Sequence, residues 1–376
     1  MKLLYFTPLL NNVGGLERTL TDKANFIASD SNEVMIVTYE HDGEPAYELK
    51  ESVEHVDLAC HFFTIYRYPF FRRFSEALRL KRLFRQKLKA VVNRFRPDVV
   101  VVTVPNTENF ICDVMKVVKP VPVVIESHLA YGYSVIRRGL AEKLLYLVYN
   151  PQRAIRRSQL LVALTSGDAD NWRRHGVRNI VKIPNPLTRY DMTPPAVEKV
   201  PGRIICVGRL TRQKRYDRLI DAFALLADKY PQWHVDIFGQ GEDLEELQQR
   251  ILAKGVRIRI LKPTKDIYTE YWRSQFFVMS SDFEGFGLVI IEAMSCGLPI
   301  VSTNCPYGPE EIIADGETGL LANLDTSDLA EKIEWMITHE SERQAMGASA
   351  RRAAADYLCK DVAKRWEQAY KSVIAK

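Results

Sequence analysis

The sequence predicts an α/β protein made of two doubly wound parallel-sheet domains, and three observations carry that prediction. Its 376 residues exceed what a single hydrophobic core usually supports. Short, nearly continuous apolar runs alternate with amphipathic helical stretches, the pattern of strands buried on both faces of a parallel sheet. The alternation is interrupted once, by a proline-rich polar stretch, and then begins again.

In chain order, Lys2–Pro8, Glu33–Tyr39, Asp98–Val104, Val121–Ser127 and Leu160–Thr165 read as strands. Helical stretches such as Leu16–Ser29 and Phe71–Phe95 lie between them. Ile183-Pro184-Asn185-Pro186, followed by Pro194, Pro195 and Pro201, reads as the linker. The second series places strands at Arg203–Val207, Trp233–Phe238, Arg257–Leu261, Phe276–Ser280 and Leu298–Thr303, with helices such as Tyr216–Tyr230 and Asp243–Lys254. The expected domains are 1–185 and 186–357. A last helix, about Leu358 to Ala375 and within 358–376, is expected to cross back onto the first domain. Open α/β sheets bind ligands beyond the carboxyl ends of their strands, so two such domains facing each other are expected to share one cleft.

Composition narrows the function classes. A formal net charge of +5 is too mild to imply nucleic acid. Cys60, Cys112, Cys206, Cys296, Cys305 and Cys359 are scattered without a CxxC pair, which suits reduced thiols in a cytosolic protein. Met1 to Asn12 reads as a first buried strand rather than a signal peptide. No run of about 18 apolar residues is present to span a bilayer.

Four constellations carry chemistry. Asn11-Asn12-Val13-Gly14-Gly15 joins the first strand to a helix, and suits either an anion at the helix N-terminus or a permissive turn. In Val207-Gly208-Arg209-Leu210-Thr211-Arg212-Gln213-Lys214, Arg209 and Lys214 lie at a strand end, where two cations hold a diphosphate or simply face solvent. Phe238-Gly239-Gln240-Gly241 is a weaker phosphate-contact pattern. In Glu284-Gly285-Phe286-Gly287-Leu288-Val289-Ile290-Ile291-Glu292 the glycines put Glu284 on a loop and Glu292 inside the following helix. A carboxylate among apolar residues needs hydrogen-bond partners, and either a pair of sugar hydroxyls or a structural contact supplies them.

This last block resembles the Glu-x7-Glu signature of the retaining GT-B glycosyltransferases of family 4, which build bacterial capsules, O-antigens and lipid-linked oligosaccharides. Gly14-Gly15-Leu16-Glu17-Arg18, Gly208-Arg209-Leu210…Lys214 and Gly308-Pro309-Glu310-Glu311-Ile312-Ile313-Ala314-Asp315-Gly316-Glu317-Thr318-Gly319 are similar to further blocks of that family. The resemblance implies a GT-B fold: two Rossmann-like domains across a cleft, acceptor in the first and donor in the second. It implies that Glu292 binds ribose hydroxyls, Glu284 meets the transferred sugar, and Arg209 and Lys214 grip the donor diphosphate. Gly14 and Gly15 match a loop that closes on the diphosphate, with Gly208 and Gly239 in the donor-side turns. His128 matches a histidine near the anomeric carbon. Lys262, Pro263 and Thr264 are expected to border the base, and the helix start at Gly285, Phe286, Gly287 and Leu288 to face phosphate. The linker departs from the family, with Pro184-Asn185-Pro186 where Asn-Gly is more usual. Cys305-Pro306-Tyr307-Gly308-Pro309 is similar to a subset that includes galactose and N-acetylgalactosamine transferases. Read without the family, His128 is a lone histidine at a strand end.

The implied activity is a retaining, metal-independent hexosyltransferase. It takes hexose or N-acetylhexosamine from a nucleoside diphosphate sugar, UDP by preference, and uses no cofactor. The acceptor is a glycan or a polyprenyl-diphosphate-linked chain of capsule or lipopolysaccharide synthesis. Asp168-Ala169-Asp170 fits a metal-binding DxD pattern, but it opens a helix, where acids serve as caps, and no metal site is expected. Between Tyr66 and Arg96, basic residues from Arg67 to Arg96 interleave with aromatic and leucine residues. That stretch suits an anionic membrane surface on the cytoplasmic side, an acidic acceptor, or a core helix with a solvated basic face. Two rival functions are a nucleotide-sugar epimerase of similar fold and a non-catalytic, sugar-nucleotide-binding membrane partner.

Overall fold

Strands form where the apolar runs are longest. β1 (Lys2–Phe6), β2 (Glu33–Thr38), β3 (Val53–Asp57), β4 (Val99–Val104), β5 (Val123–Ser127), β6 (Leu160–Ala163) and β7 (Ile180–Lys182) make one sheet, ordered β3-β2-β1-β4-β5-β6-β7. Every pairing in it is parallel. β8 (Arg203–Val207), β9 (His234–Phe238), β10 (Ile258–Leu261), β11 (Phe276–Met279), β12 (Ile300–Thr303) and β13 (Gly319–Ala322) make a second parallel sheet, ordered β10-β9-β8-β11-β12-β13. This computed structural model describes residues 1–29, 31–104, 108–131, 150–187, 189 and 196–374. Pro194 and Pro195 of the expected linker lie outside them.

The chain divides into two units, Met1–Pro186 with Cys359–Lys376, and Leu187–Leu358. Leu187 falls in the second because its N–H donates to the Tyr357 carbonyl at 2.6 Å and it bridges Leu358. In the first unit, helices α1 (Gly15–Ile27), α2 (Phe70–Phe95), α3 (Glu108–Val117), α4 (Pro151–Ile155) and α5 (Ser166–Arg174) join the strands. The second unit has α6 (Tyr216–Ala224), α7 (Leu244–Lys254), α8 (Ile267–Trp272), α9 (Leu288–Ser295), α10 (Pro309–Ile312), α11 (Thr326–Thr338) and α12 (Glu340–Ala354). The last helix, α13 (Cys359–Ile374), returns to the first unit and packs on α1 and β4. Trp366 and Tyr370 are its buried anchors, and Trp366 Nε1 donates to the Pro184 carbonyl at 3.0 Å.

Three strands escaped the apolar pattern: β3, β7 and β13. Each lies at a sheet edge. An edge strand has one strand neighbour and less cover, so β3 carries Glu54, His55 and Asp57 without becoming a continuous apolar run. The stretch Tyr216–Tyr230 also needs correction, because the α-helix stops at Ala224 and turns follow, with Leu225 exposed.

Both sheets reverse strand order once, between β1 and β4 and between β8 and β11. Loops on either side of such a point leave to opposite faces, which opens a crevice at the carboxyl ends of the strands.

Candidate active site

In the second unit the reversal lies between β8 and β11, and two loops meet there. Gly208 follows β8 and leads through Arg209 to a short 3₁₀ turn, Arg212–Lys214. Ser280 to Glu284 follow β11. Lys214 Nζ contacts Glu284 Oε1 at 2.6 Å, and Ser281 Oγ donates to the same oxygen at 2.6 Å. The loops are also tied along the backbone: Asp282 N–H donates to Gln213 O at 2.9 Å, and Ser280 Oγ to Lys214 O at 2.8 Å. Arg215 and Arg218 are structural cations, clamped on Asp217 and Asp282. Arg209 is exposed, and its guanidinium has no hydrogen bond or ion pair among the described residues. Of the cations in this turn, Lys214 is held in place, while Arg209 and Arg212 are exposed.

The glycines have packing reasons. A Cβ on Gly239 would lie 2.1 Å from the Gly208 carbonyl oxygen, and one on Gly241 would lie 2.2 Å from the Leu210 carbonyl oxygen. The β8 and β9 turns therefore press together, backbone on backbone, and Leu210 N–H donates to Gln240 O at 2.9 Å. Gly287 caps α9 at φ +95°, a left-handed conformation that favours glycine. The loop before it is gripped from β12: Glu284 N–H donates to Pro306 O at 2.9 Å, and Tyr307 N–H to Glu284 O at 3.0 Å.

Glu284 lies on the loop and Glu292 inside α9, both buried. Tyr271 from α8 donates its hydroxyl to Glu292 Oε2 at 3.3 Å, a partner that sequence reading did not supply. Burial and then the Glu292 charge push the Tyr271 phenol well above its ordinary range, so it stays a donor. Lys262, Pro263 and Thr264 form an exposed loop beyond β10.

In the first unit, Gly14 is the N-cap of α1 and Gly15 is exposed at its start. The loop before them is anchored by His41, unremarked in the sequence. Leu10 N–H donates to His41 Nδ1 at 3.1 Å while Nε2 meets Gly43 O at 2.9 Å. His128 follows β5, and its Nε2 contacts Glu126 Oε2 at 2.9 Å. Glu126 also receives Lys23 Nζ at 2.6 Å and the Tyr370 hydroxyl. Lys23, Glu126 and Tyr370 gave no signal in the sequence, because α1, β5 and α13 meet only in the fold.

Asp168 is not the cap expected of it. Thr165 caps α5, accepting from Asp168 N–H at 3.2 Å. The buried Asp168 carboxylate instead collects Tyr131 N–H at 2.8 Å, Ser127 Oγ at 3.0 Å and Trp172 Nε1 at 3.1 Å. Burial, only partly offset by these donors, pushes its pKa up to about 6. Asp170 pairs with Arg173 at 2.6 Å. Asp168 is thus occupied structurally, whereas Asp170 makes only an exposed i,i+3 pair.

The basic stretch divides in two. Leu80, Phe84, Leu88, Val92 and Phe95 are buried at helical spacing in the first core, so this part of α2 is a core helix. Arg85 and Lys81 pair with buried Asp113, and Lys87 donates to the Leu58 carbonyl at 2.6 Å. Exposed apolar groups are confined to the other end: Phe63, Tyr66, Tyr68, Phe74 and Leu78. There Leu78, Arg79, Arg82 and Leu83 line a shallow groove. All six cysteines are free, and among the described residues no helix is long and apolar enough to cross a membrane.

Comparison with known proteins follows the division into units. Residues 13–188 match the family "Glycosyltransferase Family 4" and residues 194–353 match "Glycosyl transferases group 1". The chain is 29% identical to an uncharacterized glycosyltransferase of Haemophilus influenzae over 55% of its own length, and spans 60% of that relative. It spans only 19% of an exopolysaccharide phosphotransferase of Streptomyces coelicolor, at 30% identity over 46% of this chain. It is 24% identical to the amylovoran biosynthesis glycosyltransferase AmsD of Erwinia amylovora, over 97% of this chain and 98% of that one. Among solved structures, the fold is shared with TarM of S. aureus at TM-score 0.78 and 13% identity, covering all of both chains. It is shared with Anabaena HepE, solved with UDP and glucose, at TM-score 0.74 and 19% identity over 99% and 100% of the chains.

Proposed function

Because this chain belongs to the family-4 glycosyltransferases of GT-B fold, we propose that it moves a hexose or N-acetylhexosamine from a nucleoside diphosphate sugar, by preference UDP-linked, to a glycan or lipid-linked acceptor in surface polysaccharide synthesis. One observation carries the assignment: at the strand-order reversal of the second sheet, Lys214 is fixed on Glu284 while Arg209 stands exposed on the same turn. A crevice at such a reversal, lined by cations and opening onto the N-terminus of α9, suits an anionic leaving group.

In this reading Glu292 and the base-side loop Lys262-Pro263-Thr264 hold the nucleoside. Arg209, Lys214 and the amides at Gly287 and Leu288 take the diphosphate, and the glycine turns let backbone approach it. In the second unit Glu284 is assigned to a hydroxyl of the transferred sugar; in the first, His128 is assigned to a sugar hydroxyl and Gly14-Gly15 to phosphate. The bond between the anomeric carbon and the β-phosphate oxygen breaks while the acceptor oxygen bonds to that carbon from the same face. The acceptor proton passes to the departing diphosphate, whose charge the two cations stabilise without a metal. In support, Asp168, the buried acid of the DxD pattern, is engaged by Tyr131, Ser127 and Trp172. The names of relatives support the sugar and acceptor classes, among them an α-1,4-N-acetyl-D-galactosaminyltransferase of Campylobacter jejuni acting on an undecaprenol-linked glycan, 24% identical over 97% of both chains.

The exposed end of α2, with Phe63, Tyr66, Phe74 and Leu78 beside Arg67, Arg72 and Arg82, is assigned to an anionic membrane surface that carries the acceptor. The test of the main reading is a screen of nucleotide sugars in EDTA. Saturable binding and slow hydrolysis of one sugar nucleotide are expected. Turnover abolished by chelation and restored by manganese contradicts the metal-free mechanism, and binding of none contradicts the function.

A further inference from the structure

Deep in the first unit lies a charged cluster that packing alone does not call for. Lys23 from α1 and Glu126 from β5 are both wholly buried, with Nζ 2.6 Å from Oε2. Taking two charges out of water is costly, and apolar residues of similar volume often serve stability as well as a buried pair. The cluster continues on every side. Lys23 Nζ sits 3.6 Å above the Trp366 ring, Tyr370 donates to Glu126 Oε1, and Tyr5 from β1 donates to the Tyr370 hydroxyl at 3.1 Å. The same carboxylate oxygen that holds Lys23 faces His128 Nε2 at 2.9 Å.

We propose that Lys23 is a positioning residue for sugar transfer: by neutralising Glu126 it keeps His128 uncharged, with Nε2–H donated to Glu126 and Nδ1 left as a bare acceptor for a hydroxyl of the donor sugar. This rests on the glycosyl-transfer reading given above. A carboxylate only accepts, so Nε2 must carry the proton. Nδ1 has no partner among the described residues. With Lys23 cationic and Glu126 anionic, the cluster is already neutral, and a second cation on His128 would leave net charge buried. Burial first, and the Lys23 charge with it, hold the His128 pKa below its ordinary value, against the pull of Glu126. Glu126 and Lys23 are the charged groups facing His128, with Tyr5 of β1 and Tyr370 and Cys359 of α13 behind them.

The sequence gives no hint of this. Lys23 is one lysine on an amphipathic helix, and Glu126 is an acid inside an apolar strand.

The experiment is ¹⁵N-histidine NMR on the full chain without substrate, paired with the pH profile of donor hydrolysis. In the wild type, His128 should be neutral at pH 7 with the proton on Nε2. Lys23→Met leaves Glu126 beside His128 uncompensated, so the His128 midpoint should rise by about one to three pH units. The acid limb of kcat should rise with it, with activity recovered at higher pH. In the double variant K23M/E126Q no charge remains, and the midpoint should fall back. An imidazolium or an Nδ1–H tautomer in the wild type at pH 7 overturns the proposal, and so does an unmoved midpoint in K23M. The wild-type tautomer requires neither a variant that folds nor a substrate. A wrong tautomer therefore removes the role of Lys23 and leaves glycosyl transfer standing, whereas a correct tautomer without sugar-nucleotide turnover removes glycosyl transfer and with it any positioning role, leaving only the neutral state of His128.

Discussion

At the scale of single residues, Arg209 and Lys214 of the β8 turn make different predictions. Arg209 is exposed and unpartnered among the described residues, so Arg209→Ala should leave stability within about 0.5 kcal/mol of wild type. Its kcat should fall by roughly 10²–10³-fold, the usual cost of one lost donor to a developing anion. Lys214→Met should cost similar activity but also lower the thermal midpoint. It leaves the buried Glu284 carboxylate without its cation, a loss of about 1–3 kcal/mol. Thermal unfolding beside initial rates separates the two. Asp168 belongs to neither class, and Asp168→Asn should retain activity in EDTA. The unfolded carboxyl titrates near 3.8 and the folded one near 6, so the folded state binds the proton more tightly. The stability this group contributes is present at low pH and lost as pH rises toward 6. Asp168→Asn should therefore gain on wild type between about pH 4 and pH 7 in chemical unfolding, and a constant difference across that range contradicts the assignment. Glu284 on its loop and Glu292 in its helix were legible because glycines mark the boundary. The pairing of Glu284 with Lys214, 70 residues earlier, was not. Ser281, Tyr271, Lys23 and His41 were equally hidden, since their roles depend on which strands become neighbours.

At the scale of elements, apolar continuity identified the central strands and one edge strand, β10, and missed the other three edges. β1, β2, β4 and β5 lie inside the sheet as near-continuous buried runs, whereas β3, β7 and β13 border it and read as polar or short. Helix α2 shows the opposite difficulty. Its sequence looks uniformly basic and apolar, yet Phe84 and Leu88 are fully buried while Phe74 is 70% exposed. Periodicity reveals that an apolar stripe exists, but not where along a helix the core stops covering it. The exposed end makes a prediction of its own. Replacing Arg72, Arg73, Arg79 and Arg82 with glutamine should weaken binding to anionic vesicles, and unchanged co-sedimentation removes the membrane assignment. The turns predict a stability effect: Gly239→Ala drives a methyl group into the Gly208 carbonyl and should destabilise the second unit by about 1–3 kcal/mol in urea unfolding.

At the scale of the whole molecule, two parallel sheets each reverse strand order once, and in the second unit the candidate residues gather at that reversal. This explains why a sequence with so mild a net charge can still gather cations, since topology rather than composition collects them. Transfer from the face that diphosphate leaves predicts a product of retained anomeric configuration, and an inverted linkage by NMR contradicts it. The central claim is that the departing diphosphate charge is taken by cationic side chains and backbone amides. Its most direct test is a crystal structure with an intact nucleotide sugar bound in the presence of EDTA. The account predicts diphosphate oxygens within hydrogen-bonding distance of the Arg209 guanidinium and the Lys214 ammonium. A diphosphate bound away from both, or bridged to protein through a metal ion, contradicts it.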